Sequence, residues 1–457
     1  MTDAADISPP GPFAAVILAA GKGTRMKSAR HKVMHPIAGK PMLGHLMDEL
    51  ATLEPAKTVV VLGAGREEVE PFVEARGAVV AVQQEQLGTG HAVLQAREAL
   101  AGFDGMVLAC FGDVPMVRAR TVALMLHRLQ ADEPACVVLG FRPDDPAAYG
   151  RIIADASGRI EKMVEYKDAN DEERAVNLCN SGLIAAKAED MFALLDRVGN
   201  DNAQGEYYLP DMVMVAQADG RHSAVIEAED WEVAGINSRA ELAAVERAWQ
   251  DRKRAEVMAD GASLVDPATV WFSHDTEIGR DVTIEPQARF GPGARIADGA
   301  TIHAFSHIEG ASVGPGCSVG PYARLRPGAV MEKGAKVGNF VEMKKAVLGE
   351  GAKASHLTYL GDATVGARAN IGAGTITCNY DGFFKYQTEI GAGAFIGSNS
   401  ALVAPVKIGD GAIVGAGSVV TKDVAADALA LARGEQSAKP GWAQKFRDVM
   451  RKKKAKK

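Results

Sequence analysis

Between residues 278 and 420 a branched or long apolar side chain returns about every sixth position, usually followed by a small residue. The series runs Ile278, Ile284, Phe290, Ile296, Ile302, Ile308, then slips to Val313, Val319, Leu325, Met331, Val337, Met343. It slips again to Leu348, Ala354, Leu360, once more to Val365, Ile371, Thr377, and resumes at Ile390, Ile396, Leu402, Ile408, Val414, Val420. Neither a helix of period 3.6 nor a single strand of period 2 repeats every six residues. A parallel β-helix of hexapeptides does, because each six-residue side of a triangular coil points one apolar residue inward. Three sides make a coil, which predicts about eight coils stacked at ~4.8 Å in a prism ~40 Å long. The segment Cys378–Glu389 breaks the hexads and is predicted to bulge from the prism, with Phe383 and Phe384 covered by a neighbouring subunit or by the same chain.

From residue 13 to 237 the pattern is different. Apolar β-type runs at Val16–Ala20, Thr58–Leu62, Gly105–Cys110 and Ala135–Gly140 alternate with helical segments, predicting an α/β unit with a mostly parallel sheet. Residues 238–260 read as one long helix. Ser238 and Glu241 form a capping-box pattern, Leu242, Val245 and Trp249 share a face, and Gly261 stops it. The expected organisation is a flexible arm (1–12), the α/β domain (13–237), a helical linker (238–261), the β-helix (262–423) and a C-terminal segment with a basic tail (424–457).

Composition sharpens this picture. Glycine reaches 49 residues while aromatics are only 6%, a bias that suits tight β-helix corners. The five cysteines are scattered with no CxxC and no Cys/His cluster, which reads as reduced thiols and excludes a disulfide framework or zinc site. The start lacks a basic and an apolar region like those of a signal peptide, and no apolar run is long enough to span a bilayer, so a cytoplasmic enzyme is expected. Net charge is −7, yet residues 445–457 carry +7, leaving −14 elsewhere. An acidic body argues against nucleic acid as the main partner. The tail reads as a solvated, disordered end, with attraction to anionic ligands or a membrane surface as the alternative.

Candidate chemistry begins at Val16–Met26, a strand running into a glycine-rich loop. Gly21 and Gly23 would let backbone N–H groups approach an anion, and Lys22 and Arg25 can neutralise phosphate. No GK[ST] closes the loop and Met26 stands where a dinucleotide fingerprint has its third glycine, so it is neither a Walker loop nor a Rossmann fingerprint. Asp113 ends an apolar strand at the carboxyl edge where open α/β sheets bind ligands, and a carboxylate there suits Mg²⁺. Taken together, LAAGKGTRM with Lys32, Gln83–His91, Phe111-Gly112-Asp113, Tyr149–Arg151, Val164-Glu165, Asn180–Gly182, Gln204–Tyr208 and Gly235–Asn237 closely resemble the sugar-1-phosphate nucleotidylyltransferases. That resemblance implies a Rossmann-like nucleotidyltransferase domain in which Asp113 and Asn237 hold Mg²⁺. Gln83, Gly88 and Thr89 would read the uracil of UTP, Gly150, Glu165 and Asn180 would bind the N-acetylated sugar, and Arg25 and Lys32 would stabilise departing pyrophosphate. Leu18, Ala19, Ala20, Gly21, Phe111 and Gly112 complete the expected nucleotide-sugar site.

Polar residues interrupt the hexapeptides at Lys344, Lys345, His356, Tyr359, Asn370, Asn379 and Tyr380. Acetyl transfer to an amine needs a base for the ammonium proton and donors for the oxyanion. His356 is the one histidine in that cluster, and an imidazole is the side chain best suited to accept a proton near neutral pH. Arg324–Ala329, Gly338–Lys345, His356–Asp362 and Asn370–Gly382 closely resemble the bacterial bifunctional N-acetylglucosamine-1-phosphate uridylyltransferase/glucosamine-1-phosphate acetyltransferases, and the likeness extends from about residue 13 to 442. It implies a left-handed parallel β-helix, homotrimers with acetyl sites between prisms, small-molecule substrates and a role in cell-envelope precursor synthesis. His356 would be the base, and Arg326, Lys344, Tyr359 and Asn370 would hold the sugar phosphate. Ala373, Asn379, Tyr380, Ser398, Ala416 and Arg433 would line the acetyl-CoA site, with the Ser398 N–H facing the oxyanion. The chain departs from many relatives in carrying His31 where they have a proline before the lysine. Two rival readings explain less: a single-activity nucleotidylyltransferase with a structural β-helix leaves His356, Lys344 and Asn379-Tyr380 without a role, and a non-catalytic sugar-nucleotide-binding scaffold leaves Asp113, Lys32 and Asn237 without one.

Overall fold

The computed structural model describes residues 7–21, 23–146, 149–202 and 204–456, so Lys22 and the first six residues of the arm lie outside the described residues. The chain divides into two compact units, Met1–Lys253 and Arg254–Lys457.

In the first unit seven strands form a continuous sheet in the order Ala224–Ala228, Val137–Phe141, Cys179–Lys187, Met106–Phe111, Phe13–Ala19, Lys57–Leu62, Val79–Val82. Pairing is parallel except along Cys179–Lys187, which runs antiparallel to both neighbours. The four strands expected from the sequence are all present, with ends displaced by at most three residues. Their near-continuous apolar runs follow from burial on both faces. Phe13, Ala15, Ile17 and Ala19 face one apolar cluster, while Ala14, Val16 and Leu18 face the other. The long helix spans Arg239–Ala259. Ser238 Oγ accepts the Glu241 N–H at 3.3 Å, but the Glu241 carboxylate reaches back one residue beyond a standard capping box, accepting the Asn237 N–H at 2.7 Å. Val245 is buried, and Leu242 and Trp249 pack beside it on the N-terminal core. The division between the units therefore falls inside this helix.

The second unit is the expected β-helix. Every inward residue of the hexad series is buried except Ile278, which is half-buried in the first coil. Its strands, most of them two residues long, pair in parallel in three columns, the longest containing ten strands from Ser263–Leu264 to Leu429–Ala430. The sequence slips are coils of 17 instead of 18 residues, seen in the registers Arg295↔Ser312, Val330↔Val347 and Lys353↔Asn370. At one corner Phe305, Tyr322, Phe340 and Leu357 adopt left-handed backbone (φ 60, 55, 56 and 49°). Such a conformation costs a non-glycine residue about 1–2 kcal/mol. Here the first three rings stack at 4.8 and 5.2 Å, close to the coil spacing, and offset part of that cost. The loop after Cys378 does leave the prism, as an antiparallel turn closed by Asp381 on the Phe383 and Phe384 N–H groups. Neither ring packs back on the described chain; they are 86% and 67% exposed. The C-terminal end is helical at Trp442–Lys454, where disorder was expected, and it buries none of its residues.

Candidate functional sites

In the first unit a cavity of about 220 Å³ opens at the carboxyl ends of the central strands. Ten of the expected residues line it: Leu18, Ala19, Ala20 and Gly21 from the first strand and its loop, Lys32, Gln83, Gly88, Thr89, Phe111 and Asp113. Val33, Gln86, Ala92 and Glu206 also contribute and were not singled out from the sequence. Gly21 has open space where a side chain would stand, as an approaching anion requires. Gly23 has another reason to be glycine: a Cβ there would meet the Lys32 Cβ at 2.5 Å. The loop thus closes onto the lysine, while Arg25 stands exposed in the following turn, outside the cavity lining. Gln83 donates its amide to the Gly88 carbonyl at 3.1 Å, and position 88 requires glycine twice over, for its φ of 110° and because a Cβ would strike the Tyr207 backbone.

Asp113 and Asn237 are brought together by a backbone bond, Ile236 N–H to the Asp113 carbonyl at 3.0 Å. The Lys32 ammonium sits between their side chains, in an ion pair with Asp113 and 3.0 Å from Asn237 Oδ1. A carboxylate and an amide oxygen already converging on a cationic group are a fit donor pair for Mg²⁺, which needs few protein ligands and completes its shell with phosphates and water. No cluster of three or more His, Cys, Asp or Glu side chains forms an all-protein metal cage among the described residues.

Gly150, Glu165 and Asn180 form a second group. Asn180 donates its N–H to the Gly150 carbonyl at 2.9 Å, and its side chain accepts the Gly182 N–H at 2.8 Å. A Cβ on Gly150 would touch the Glu165 carboxylate at 3.2 Å, and one on Gly182 would hit the Phe111 ring at 2.5 Å, so this group backs directly onto the cavity wall. Burial, followed by repulsion from Asp211 and Asp168, raises the Glu165 carboxyl above its ordinary range. Two histidines bracket the lysine. Burial lowers both His31 and His35, and neither ring nitrogen of His31 has a partner. The His31 N–H is held by Glu68 at 2.7 Å, which anchors the turn that a proline would otherwise fix.

In the second unit the expected residues divide across one edge of the prism. His356, Ala373, Ser398 and Ala416 each immediately precede a left-handed corner residue in four successive coils (Leu357, Gly374, Asn399 and Gly417). Backbone bonds tie the column together: Asn399 N–H to the Ala373 carbonyl at 2.7 Å and Gly417 N–H to the Ser398 carbonyl at 2.8 Å. Arg433 donates to the Ala416 carbonyl at 2.6 Å. The Ser398 N–H donates to no protein acceptor among the described residues, leaving it open for an oxyanion.

Past the corner, Arg326, Lys344 and Tyr359 lie on one face. Arg326 pairs with Glu342 at 2.7 Å, Glu342 registers beside Tyr359, and Lys344 beside Gly361. The Tyr359 hydroxyl lies where a Gly361 side chain would be, so the ring can lie flat along the face. Lys344 is held below its ordinary range by Lys385 first and by Arg326 and Lys345 after it, a concentration of cations that an incoming phosphate would relieve. Lys385 comes from the extruded loop, and neither it nor Glu342 was picked out individually from the sequence. Asn370 registers beside Lys353 in the column preceding the corner. Asn379 is buried and donates to Asp362 at 2.5 Å, whereas Tyr380 is exposed and turns its hydroxyl to the Gly382 carbonyl.

Residues 15–178 match the MobA-like NTP transferase domain family, and residues 275–310 and 387–422 match the bacterial transferase hexapeptide (six repeats) family. Among curated relatives, the bifunctional protein GlmU of Sphingopyxis alaskensis is 66% identical over 445 residues, spanning 97% of this chain and 98% of its own. That of Novosphingobium aromaticivorans is 64% identical over 448 residues (98% and 99%), and that of Zymomonas mobilis 59% over 445 (97% and 99%).

Proposed function

This chain belongs to the family of bifunctional GlmU proteins, and from that footing we propose how its two sites divide the work. The enzyme transfers an acetyl group from acetyl-CoA to glucosamine-1-phosphate and a uridylyl group from UTP to N-acetylglucosamine-1-phosphate. The product, UDP-N-acetylglucosamine, supplies the cell wall.

The acetyl transfer belongs to the prism. Arg326, Lys344 and Lys385 bind the sugar phosphate, with Tyr359 and Asn370 ordering the ring. His356 accepts a proton from the sugar amine as nitrogen attacks the thioester carbonyl. The Ser398 N–H stabilises the oxyanion, and collapse breaks the C–S bond to release coenzyme A as the thiol. Ala373, Asn379, Tyr380, Ala416 and Arg433 line the coenzyme A path.

Uridylyl transfer belongs to the α/β unit. Gln83, Gly88 and Thr89 seat the uracil, and Gly150, Glu165 and Asn180 seat the acetylated sugar. The sugar-phosphate oxygen attacks the α-phosphorus of UTP, and the P–O bond to pyrophosphate breaks. Lys32 and Arg25 neutralise charge gathering on the leaving group. Asp113 and Asn237 are the residues that would hold Mg²⁺, which when bound screens the triphosphate. We assign the two activities to residues 13–237 and 262–423, place the enzyme in the cytoplasm, and take the homotrimer as its working form, supported by the uncovered Phe383 and Phe384.

The observation that carries the two-activity reading is His356, aimed by Asn339 at a 2.6 Å contact, next to a face of clustered cations. Purified protein given glucosamine-1-phosphate, acetyl-CoA, UTP and Mg²⁺ should yield UDP-N-acetylglucosamine by mass spectrometry. His356→Ala should stop that route while uridylylation of added N-acetylglucosamine-1-phosphate continues. If His356→Ala acetylates normally, the prism is a scaffold and the assignment fails.

A further inference from the structure

The extruded loop leaves the prism at a corner that the two preceding coils close with a single left-handed residue, Lys345 (φ 47°) and then Asp362 (φ 44°). In the next coil the strand Ile376–Cys378 runs out at that point, and the column resumes at Thr388–Ile390, with Thr388 beside Ala363. Asn379 is where the chain departs, and its carbonyl accepts the Tyr386 N–H at 2.9 Å where the chain returns. Tyr380 pairs with Lys385 one step further out, so Lys385 stands close to the root of a short antiparallel turn. Asp362 lies beneath that root, three residues past Tyr359 as Asn379 is three past its register partner Ile376. The Asp362 carboxylate accepts the Asn379 side-chain N–H at 2.5 Å, and Asn379 is buried. An ionised carboxylate can only accept, so the amide nitrogen must face it, and turning the amide away forfeits a charge-assisted bond. Left-handed backbone is tolerated better by Asp than by most side chains, which lets one residue both close its own corner and reach the next coil. On the returning side Gln387 donates to Thr364 Oγ1 at 3.0 Å, an exposed contact between neutral groups.

This clasp holds like charges together. Lys385 is the cation that bears most strongly on Lys344, ahead of Arg326 and Lys345. Two neighbouring ammonium groups repel, so a loop free at its root would relax by swinging Lys385 away from the face. We propose that Asp362 is a positioning residue for acetyl transfer: it clasps the root of the extruded loop through Asn379 and so keeps Lys385 beside Lys344, where both meet the phosphate of glucosamine-1-phosphate. The proposal rests on the reading of the prism as the acetyltransferase. Asp362 acts through Asn379 and the loop, so its influence falls on binding of the sugar phosphate and not on proton transfer at His356.

The test is acetyl-transfer kinetics of the full-length protein as parent, Asp362→Gly, Asp362→Asn, Lys385→Ala and the double variant Asp362→Gly/Lys385→Ala. Glycine adopts the left-handed corner freely and removes only the carboxylate. Asparagine keeps both the corner and an acceptor oxygen. Asp362→Gly should raise KM for glucosamine-1-phosphate about ten-fold while kcat changes by less than about three-fold, and Asp362→Asn should stay within about three-fold of the parent in both. Adding Asp362→Gly to Lys385→Ala should change KM by less than about two-fold further, because the loop then has no cation to place. An unchanged KM in Asp362→Gly, a loss that falls on kcat, or an Asp362→Asn as impaired as Asp362→Gly would each overturn the proposal. So would a double variant in which the two losses multiply, the pattern that a general packing defect in the prism produces. Those outcomes strike the clasp alone; a parent that leaves glucosamine-1-phosphate unacetylated would overturn the functional reading and the clasp with it.

Discussion

Nδ1 of His356 lies 2.6 Å from Oδ1 of Asn339, which occupies the same register position one coil earlier. An amide oxygen can only accept, so Nδ1 carries the proton and Nε2 is left bare for the substrate amine. Asn339→Ala should lower kcat for acetyl transfer by about 10–100-fold with little change in KM for glucosamine-1-phosphate. Asn339→Asp keeps the acceptor and should recover most of the rate. Steady-state kinetics of the pair separates aiming of the imidazole from a packing defect.

On the proposed role of Lys32, a lysine lining the cavity, Lys32→Ala should reduce uridylyl transfer by about 100-fold or more. Chelation of divalent cations should abolish the same activity. Acetyl transfer, assayed separately as free coenzyme A, should be indifferent to both.

Glu165 is held above its ordinary 4.5 by burial and by Asp211 and Asp168. The folded chain therefore binds its proton more tightly than the unfolded chain does, and stability declines as pH rises through the interval between the two values. Glu165→Gln should consequently be more stable than the parent at neutral pH, with the advantage vanishing below about pH 4. The same variant should lose uridylyl transfer about ten-fold through a missing sugar contact. Thermal melts at several pH values, set beside kinetics, test both halves.

His31 and His35 show the opposite sign. Burial keeps both below 6.5, with Lys32 adding to the effect at His31, Arg239 and Arg30 at His35, and only Glu68 opposing it. Stability is complete above the unfolded value and is lost as pH falls below about 6.5. His31→Leu should flatten part of that acid loss, because neither ring nitrogen has a partner to forfeit. Melting temperature between pH 5 and 8 is the measurement.

Two glycines of the prism should fail differently. A Cβ at Gly338 lands on the Ser355 backbone carbonyl, which cannot move without opening the coil, and Gly338→Ala should cost about 1–3 kcal/mol or more. The three atoms nearest a Cβ at Gly361 all belong to the movable end of Tyr359. Gly361→Ala should leave the melting temperature nearly unchanged and raise KM for glucosamine-1-phosphate. Calorimetry and acetyl-transfer kinetics distinguish the two outcomes.

The β-helix was legible from sequence because one inward residue per side is a one-dimensional rule, and even Thr377 obeys it at full burial. The wall of the nucleotide cavity was legible because its residues cluster in short motifs at strand ends. What stayed hidden were pairings across sequence distance. Asn339 and Glu342 lie in the motif around Lys344, yet only coil registry shows that one aims His356 and the other holds Arg326. Lys385 was hidden because a loop that breaks a repeat carries no register of its own. Gly23 reads in the sequence as an anion-binding glycine, and that it also makes room for Lys32 shows only in the fold. The helical form of the C-terminal end is masked in the sequence by its charge density, with only the spacing of four apolar side chains to mark it.

The 17- and 18-residue coils of the prism have one last consequence. Because each coil touches only the coils before and after it, evolutionary gain or loss of sequence here should come in whole turns, and a lineage could lengthen or shorten the early coils without redrawing the later ones. A deletion of one or two residues within a side is a different event. It rotates every following inward side chain off the axis, so reading-frame-preserving indels in this region are expected to cluster at corners and at the extruded loop.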